Sequence, residues 1–143
     1  MKLMVKLIAK VPFFSKLSEK ERAILAEDDS LFEIFADGEY IVRQGVEDDY
    51  SLYILMSGNV DVINESDDAE ESILTMKEGA VFGEASFLAS HPRTASVRAQ
   101  GQATVFKMSP KASKRLDCPM QLKINTRLSK ILVERLVHSE NRT

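Results

Sequence analysis

The spacing of hydrophobic and polar positions changes twice along the chain. Over residues 1–30 the apolar residues have helical spacing, and Ser18 with Glu21 matches the capping box that starts a helix. Over 31–109, short apolar runs such as L-Y-I-L-M and V-D-V-I lie between turn residues. Over 110–143 the helical spacing returns. This pattern predicts N-terminal helices, a β region and C-terminal helices within one domain.

The middle region contains all six glycines of the chain. We expect residues 57–59 to form a turn between two strands, residues 64–71 to be the exposed acidic tip of a hairpin, and further strands around Gly101. Short strands with regularly spaced turns favour an antiparallel structure over a parallel α/β sheet. The predicted fold is therefore mainly β with flanking helices, a jelly-roll β-barrel (double-stranded β-helix).

The C-terminal region predicts two helices, over 111–116 and from 120 to about 138, with a break at Cys118 and Pro119. The apolar residues of the second helix lie on a single stripe, which could pack on the barrel or on the same helix of a second chain. We favour the second option, a homodimer. The stripe consists of Ile124, Leu128, Ile131, Leu132 and Leu136.

Composition and charge narrow the class of protein. The chain has 143 residues, 44% of them hydrophobic and 29% charged, which fits one globular domain. A net charge of −3, with dispersed Lys and Arg, argues against nucleic-acid binding by a basic face. Cys118 is the only cysteine, which favours a reducing compartment. No apolar run approaches the roughly 20 residues of a membrane span. We expect a cytoplasmic protein without membrane contact.

Residues 82–99, F-G-E-A-S-F-L-A-S-H-P-R-T-A-S-V-R-A, carry the candidate chemistry. Residues 84–89 are long enough for about one and a half helical turns, and the free N–H groups of a first turn suit an anion. Gly83 removes a Cβ where a ligand would approach the backbone. Ala85 and Ser86 keep the surroundings small.

The charged residues of this segment suggest which ligand it would take. Arg93 offers a planar fork of donors that matches phosphate oxygens, and Thr94 adds a hydroxyl. Glu84 suits a hydroxyl donor such as a ribose 2′-OH. These residue types describe a pocket for a sugar with an attached phosphate. The simpler alternative is that Glu84 and Arg93 pair with each other to hold a short helix against a strand.

The same segment resembles the phosphate-binding cassette of cyclic nucleotide-binding domains. Residues 82–97 match its pattern with F-G-E-A-S-F-L and P-R-T-A-S-V. Upstream, G-E-Y-I, L-Y-I-L-M-S-G-N-V-D-V and V-P-F-F-S-K-L-S are similar to the family's early strands and entry helix. The resemblance covers nearly the whole chain and includes the catabolite-activator and protein kinase A regulatory-subunit types.

The resemblance implies a ligand, cAMP or cGMP, and a role for each cassette residue. Glu84 would bind the ribose 2′-OH and Arg93 the cyclic phosphate. A hydroxyl residue after the arginine occurs with either base, so Thr94 does not decide between them. The residues implied to bind ligand are Gly83, Glu84, Ala85, Ser86, Arg93, Thr94 and Ala95.

The function that follows is a regulatory sensor in which the ligand favours one arrangement of the C-terminal helices relative to the barrel, with Pro119 as the hinge. Catabolite-activator-type proteins continue into a helix-turn-helix. Residues 120–143 are too few for one, so we expect no direct DNA binding by this chain. The chain would act on an unidentified protein partner, either as an independent sensor or as the regulatory domain of a longer protein.

Two other functions remain open. A cupin-like metal enzyme would need a cluster of histidines on neighbouring strands, whereas this chain has only His91 and His138. We therefore expect neither catalysis nor a bound metal. A structural interaction module whose pocket no longer binds ligand is the second alternative.

Overall fold

The computed structural model describes residues 2–66 and 70–141. Its helices are α1 (Lys2–Lys10), α2 (Glu19–Glu27), α3 (Glu84–Ala89), α4 (Pro110–Ser113) and α5 (Cys118–Asn141). Its strands are β1 (Phe32–Phe35), β2 (Tyr40–Val42), β3 (Leu52–Glu65), β4 (Glu70–Met76), β5 (Val81–Phe82) and β6 (Ser96–Met108). Two short 3₁₀ turns, Pro12–Phe14 and Asp29–Leu31, flank α2.

The strands form the predicted jelly roll, organised around the two long strands β3 and β6. These pair with each other in antiparallel register from Leu52↔Met108 to Ile63↔Ser96. β6 also pairs with β1 and β2, and β3 pairs with β4 and β5, all antiparallel. The hairpin of β3 and β4 ends at the segment 64–71, part of which lies outside the described residues.

The turn expected at residues 57–59 is wrong, because β3 continues through it. The pairing of β3 with β6 shifts register on both sides of Ser57, as in a β-bulge. Gly58 has a φ of +89°, and a Cβ there would lie 2.4 Å from the carbonyl oxygen of Gln102. The glycine therefore lets the backbone of β6 approach closely while the strand bends. Gly101 (φ +74°) likewise lies within the single strand β6 and does not separate two strands.

The helices close one end of the barrel over an aromatic core. Phe13 and Phe14 are buried, and the Phe14 ring meets Phe106 edge-on at 5.2 Å between centroids. The capping box is confirmed, with the Ser18 hydroxyl accepting from the Glu21 N–H and the Glu21 carboxylate accepting from the Ser18 N–H. The same carboxylate accepts from Nζ of Lys123 at 2.6 Å, which ties α2 to α5.

The helix break predicted at Cys118 and Pro119 is displaced, because α5 already begins at Cys118. Proline is favoured in the first helical turn, where its missing N–H is not needed. The Asp117 carboxylate accepts from the Met120 N–H at 2.9 Å and so caps the helix. The chain turns before this point, after α4, which ends at Ser113 rather than 116.

The predicted apolar stripe of α5 packs mainly on the chain's own core. Met120, Ile124 and Leu128 are buried against the aromatic cluster, and Ile131 is partly buried there. Leu136, at the far end of the stripe, is 62% exposed. Packing on the barrel therefore accounts for most of the stripe and brings the end of α5 towards α3.

Candidate functional site

A cavity of about 320 Å³ lies where β5, α3, β6 and α5 meet. One wall is apolar and is formed by Val42, Val62, Leu74, Met76 and Val97. The cassette lines the same cavity. The structure brings all seven residues predicted to bind ligand to this cavity, namely Gly83, Glu84, Ala85, Ser86, Arg93, Thr94 and Ala95.

Gly83 forms the sharp junction between β5 and α3. Its backbone is left-handed (φ 81°, ψ 13°), a conformation that glycine adopts without a steric penalty. A Cβ there would lie 2.7 Å from Nη1 of Arg93 and 2.9 Å from the Ser51 carbonyl oxygen. Because glycine has no side chain to cap α3, the N–H groups of the first turn stay available to an acceptor in the cavity.

Arg93 is held by a carboxylate from a distant loop. Its Nε and Nη2 donate to the two oxygens of Asp48 at 3.0 and 2.9 Å, a bidentate pair, and the side chain is only 2% exposed. The backbone is fixed as well, since the Arg93 N–H donates to the Val46 carbonyl at 3.1 Å and the Gly45 N–H donates to the Arg93 carbonyl at 2.7 Å. The remaining nitrogen, Nη1, is buried and has no hydrogen-bond partner in the part of the chain that the structure describes.

An aromatic pair supports this guanidinium. The Tyr53 ring lies 5.6 Å from Cζ of Arg93 and stacks on Phe82 with centroids 5.2 Å apart. Burial raises the pKa of Tyr53 well above its ordinary value, and the nearby Arg93 charge only partly opposes this. The phenol therefore stays neutral, and no second anion forms beside Arg93.

Glu84, the buried acid of the cassette, is held by the C-terminal helix. Its carboxylate accepts from Nη1 of Arg135, while Nη2 of Arg135 donates to the Val81 carbonyl at 2.6 Å. Arg135 therefore links α5 to Val81 and Glu84, which lie before and after Gly83. The alternative in which Glu84 and Arg93 pair with each other is wrong, because each has a different partner.

Sequence reasoning missed Asp48 and Arg135, which hold the two charged residues of the cassette. Asp48 lies 45 positions before Arg93, in the loop between β2 and β3, and no local pattern connects the two. For Arg135 a weak signal exists, since it follows Leu128 by seven positions and so lies in line with the buried face of α5, although its own side chain is 47% exposed.

The remaining candidate groups lie away from the cavity. His91 is exposed and its Nδ1 contacts the Pro92 carbonyl oxygen at 2.7 Å, and His138 is exposed on α5. Within residues 2–66 and 70–141 no group of three or more His, Cys, Asp or Glu is placed to bind a metal. In the same ranges, no helix has the length and apolar character that a membrane span requires.

Comparison with known proteins identifies the family. The model of the cyclic nucleotide-binding domain matches residues 32–116. The cAMP-dependent protein kinase regulatory subunit of Emericella nidulans is 38% identical over 115 residues, which cover 80% of this chain and 27% of that protein. The chain thus spans about a quarter of the length of this relative.

Solved structures agree with this result. The regulatory domain of Toxoplasma gondii PKA, co-crystallised with cAMP, superposes with a TM-score of 0.70 at 26% identity, over 90% of this chain and 49% of that one. A cyclic nucleotide-binding domain from Methylobacillus flagellatus has the same fold, with a TM-score of 0.77 at 24% identity over 99% of this chain and 80% of that one. The chain belongs to the cyclic nucleotide-binding domain family.

Proposed function

We propose that the chain is a regulatory module that binds a cyclic nucleotide in the cassette cavity and has no catalytic activity of its own. One observation carries this proposal: Arg93 presents a buried donor, Nη1, that no group within residues 2–66 and 70–141 satisfies. The similarity to kinase regulatory subunits supports a binding role rather than a catalytic one.

A cyclic phosphate suits the free edge of Arg93. Leaving a buried donor unpaired costs about 1–3 kcal/mol, which an anionic oxygen at Nη1 would recover. Asp48 fixes the plane of the guanidinium, so its orientation need not be acquired on binding. Asp48 also offsets the arginine charge, so the ligand should carry a single negative charge. The N–H groups at the start of α3 provide further donors.

The rest of the cavity favours a ribose and a purine, with adenine the better base. Glu84 offers a carboxylate to the 2′-OH, and the apolar wall has the character expected for a base-binding surface. No polar side chain of that wall could pair with the O6 and 2-amino groups of guanine, which would lose hydrogen bonds to water there. Thr94 is exposed and lines the same cavity, and its hydroxyl is the group that would hydrogen-bond to the guanine of cGMP if that ligand binds. We therefore propose cAMP as the ligand.

The ribose contact can be tested with a cycle of one substitution and one altered ligand. The unsubstituted chain should bind 2′-deoxy-cAMP about 10–100-fold more weakly than cAMP, because a hydrogen bond to a carboxylate is lost. Glu84→Ala should weaken cAMP by a similar factor and show no further loss with 2′-deoxy-cAMP. Calorimetry measures each affinity, and Glu78→Ala, which removes an exposed acid, is the control. If the Glu84→Ala protein lost a further 10–100-fold in affinity with 2′-deoxy-cAMP, Glu84 would not be the group that contacts the 2′-OH.

The regulatory step proposed here is a change in the position of α5. Arg135 of α5 donates to Glu84, the same carboxylate that would accept from the ribose 2′-OH. Ligand binding and the position of α5 would therefore be coupled through Glu84. The hinge would lie at residues 114–117, between α4 and α5, since Pro119 is already helical. Hydrogen exchange of the α5 amides should change when cAMP is added, and unchanged exchange would contradict this step.

We also propose a homodimer, through a face of α5 that shares only Leu136 with the predicted stripe. This solvent-exposed face carries no charge over about four turns, and its members alternate at spacings of four and three, as in a two-stranded coiled coil. Leu136→Glu should convert a dimer into a monomer in light scattering after size exclusion, whereas Ile34→Glu, at an exposed apolar residue of β1, should not. A monomeric unsubstituted chain would refute the dimer. The face consists of Leu122, Thr126, Ser129, Val133 and Leu136.

The partner regulated by this module is proposed to be a protein kinase, and the location cytoplasmic. Similarity to kinase regulatory subunits supports the first, and the lone, exposed Cys118 is compatible with a reducing compartment. If so, the chain should inhibit a kinase catalytic subunit in a way that cAMP relieves. It should also appear in the cytosolic fraction of cells. A kinase unaffected by the chain would remove the support for that partner.

A further inference from the structure

A second cavity, of about 280 Å³, lies on the other side of Arg135. It is enclosed by the turn Pro12–Phe14, the segment 79–81 and one side of α5. Its charged side chains are those of Arg127, Glu134 and Arg135. The volume is close to the lower end of the range for small-molecule sites, so it could accept a small anionic molecule or the end of a larger one.

Arg127 is the unusual member of this group. Its Nε is buried and has no hydrogen-bond partner within the described residues. Three other arginines, Arg43, Arg93 and Arg135, each pair with a carboxylate. Glu134, two helical turns further along, lines the same cavity without pairing with Arg127. A buried guanidinium donor is costly to leave unsatisfied, so this arrangement indicates an absent acceptor.

We propose that this cavity is an anion site for a phosphate or carboxylate group, bound by Arg127. The backbone N–H groups of Gly79 and Ala80 already donate to the Leu55 carbonyl at 2.8 Å and the Lys77 carbonyl at 3.1 Å, so the ligand would depend on Arg127 as its donor. Arg135 lies at the boundary with the nucleotide cavity, but Glu84 already offsets its charge, so the positive charge available to an anion is that of Arg127. Among the described lining residues, the opposing charge is that of Glu134, which is exposed.

Inorganic phosphate is the probe for this site, added at constant ionic strength to the ¹⁵N-labelled chain. The Nε–H resonance of Arg127 should shift and saturate, together with the amides of residues 79–81. Arg127→Gln should weaken phosphate binding at least about tenfold, as expected for loss of a charged hydrogen bond. Lys111→Gln removes an exposed charge from α4, outside this cavity, and should leave the affinity unchanged.

Two further variants keep the result unambiguous. Glu134→Gln removes the opposing charge and should strengthen phosphate binding about two- to fivefold, an increase that misfolding cannot imitate. The titration repeated with Arg93→Ala separates this site from the nucleotide cavity, because the Arg127 shift should persist there. An Arg127 resonance that phosphate does not move, or shifts confined to Gly83 and Arg93, would overturn the proposal while leaving the nucleotide site intact.

Discussion

Replacing Arg93 by alanine should lower the affinity for cAMP at least about 30-fold. Truncating one partner of a buried, hydrogen-bonded charge pair typically costs 2–5 kcal/mol, which corresponds to a factor of this size. Here the substitution removes the free Nη1 donor and also leaves Asp48 beside the phosphate as an uncompensated negative charge. Calorimetric titration with cAMP measures the loss.

Two controls define what the arginine contributes. Arg93→Lys keeps the charge but cannot pair with Asp48 and the ligand at the same time, so its affinity should be intermediate. Arg115→Ala removes an exposed arginine elsewhere on the domain and should have no effect. If the Arg93→Ala protein bound cAMP as tightly as the unsubstituted chain, the phosphate would have to bind somewhere else.

Gly83→Ala should lower the free energy of unfolding by about 2–4 kcal/mol. The left-handed backbone at this position costs an alanine about 1–2 kcal/mol. The added methyl group would also lie 2.7 Å from Nη1 of Arg93 and 2.9 Å from the Ser51 carbonyl oxygen. Neither group can move easily, because Asp48 holds the arginine and the carbonyl belongs to the backbone. Urea denaturation gives the change in stability.

Gly38→Ala is the matched control for this substitution. Gly38 has nearly the same backbone angle (φ +83°), but a Cβ there would meet no atom within 4 Å. The control should therefore show only the cost of the backbone conformation. Equal losses in the two variants would mean that the close approach of Arg93 to Gly83 has no energetic consequence.

The features that were predictable from the sequence are those determined by neighbouring residues. The capping box at Ser18 and Glu21 needs only a spacing of three, and α3 follows from a short segment between glycine and proline signals. For the same reason the cassette residues could be assigned to one pocket. The cassette consists of a short strand, a short helix and the start of the next strand, which follow one another directly. This order leaves few ways for the backbone to place its residues apart.

The features that were missed depend on contacts between distant segments. Asp48 lies 45 positions from Arg93, and Glu84 lies 51 positions from Arg135, so neither pair has a local signature. A glycine such as Gly58 is typical of both turns and β-bulges. Here the close approach of β6, which is distant in sequence, makes it a bulge. A proline can end a helix or begin one. At Pro119 the preceding Asp117 cap was the distinguishing feature.

The proposed function requires that the buried donor of Arg93 binds the phosphate of a cyclic nucleotide. Calorimetry of the unsubstituted chain with cAMP, and with the ring-opened 5′-AMP, measures whether it does. We expect one saturable site per chain for cAMP and binding at least about tenfold weaker for 5′-AMP, whose second phosphate charge has no matching cation beside the neutral Arg93–Asp48 pair. Absence of saturable binding by both cAMP and cGMP would contradict the account.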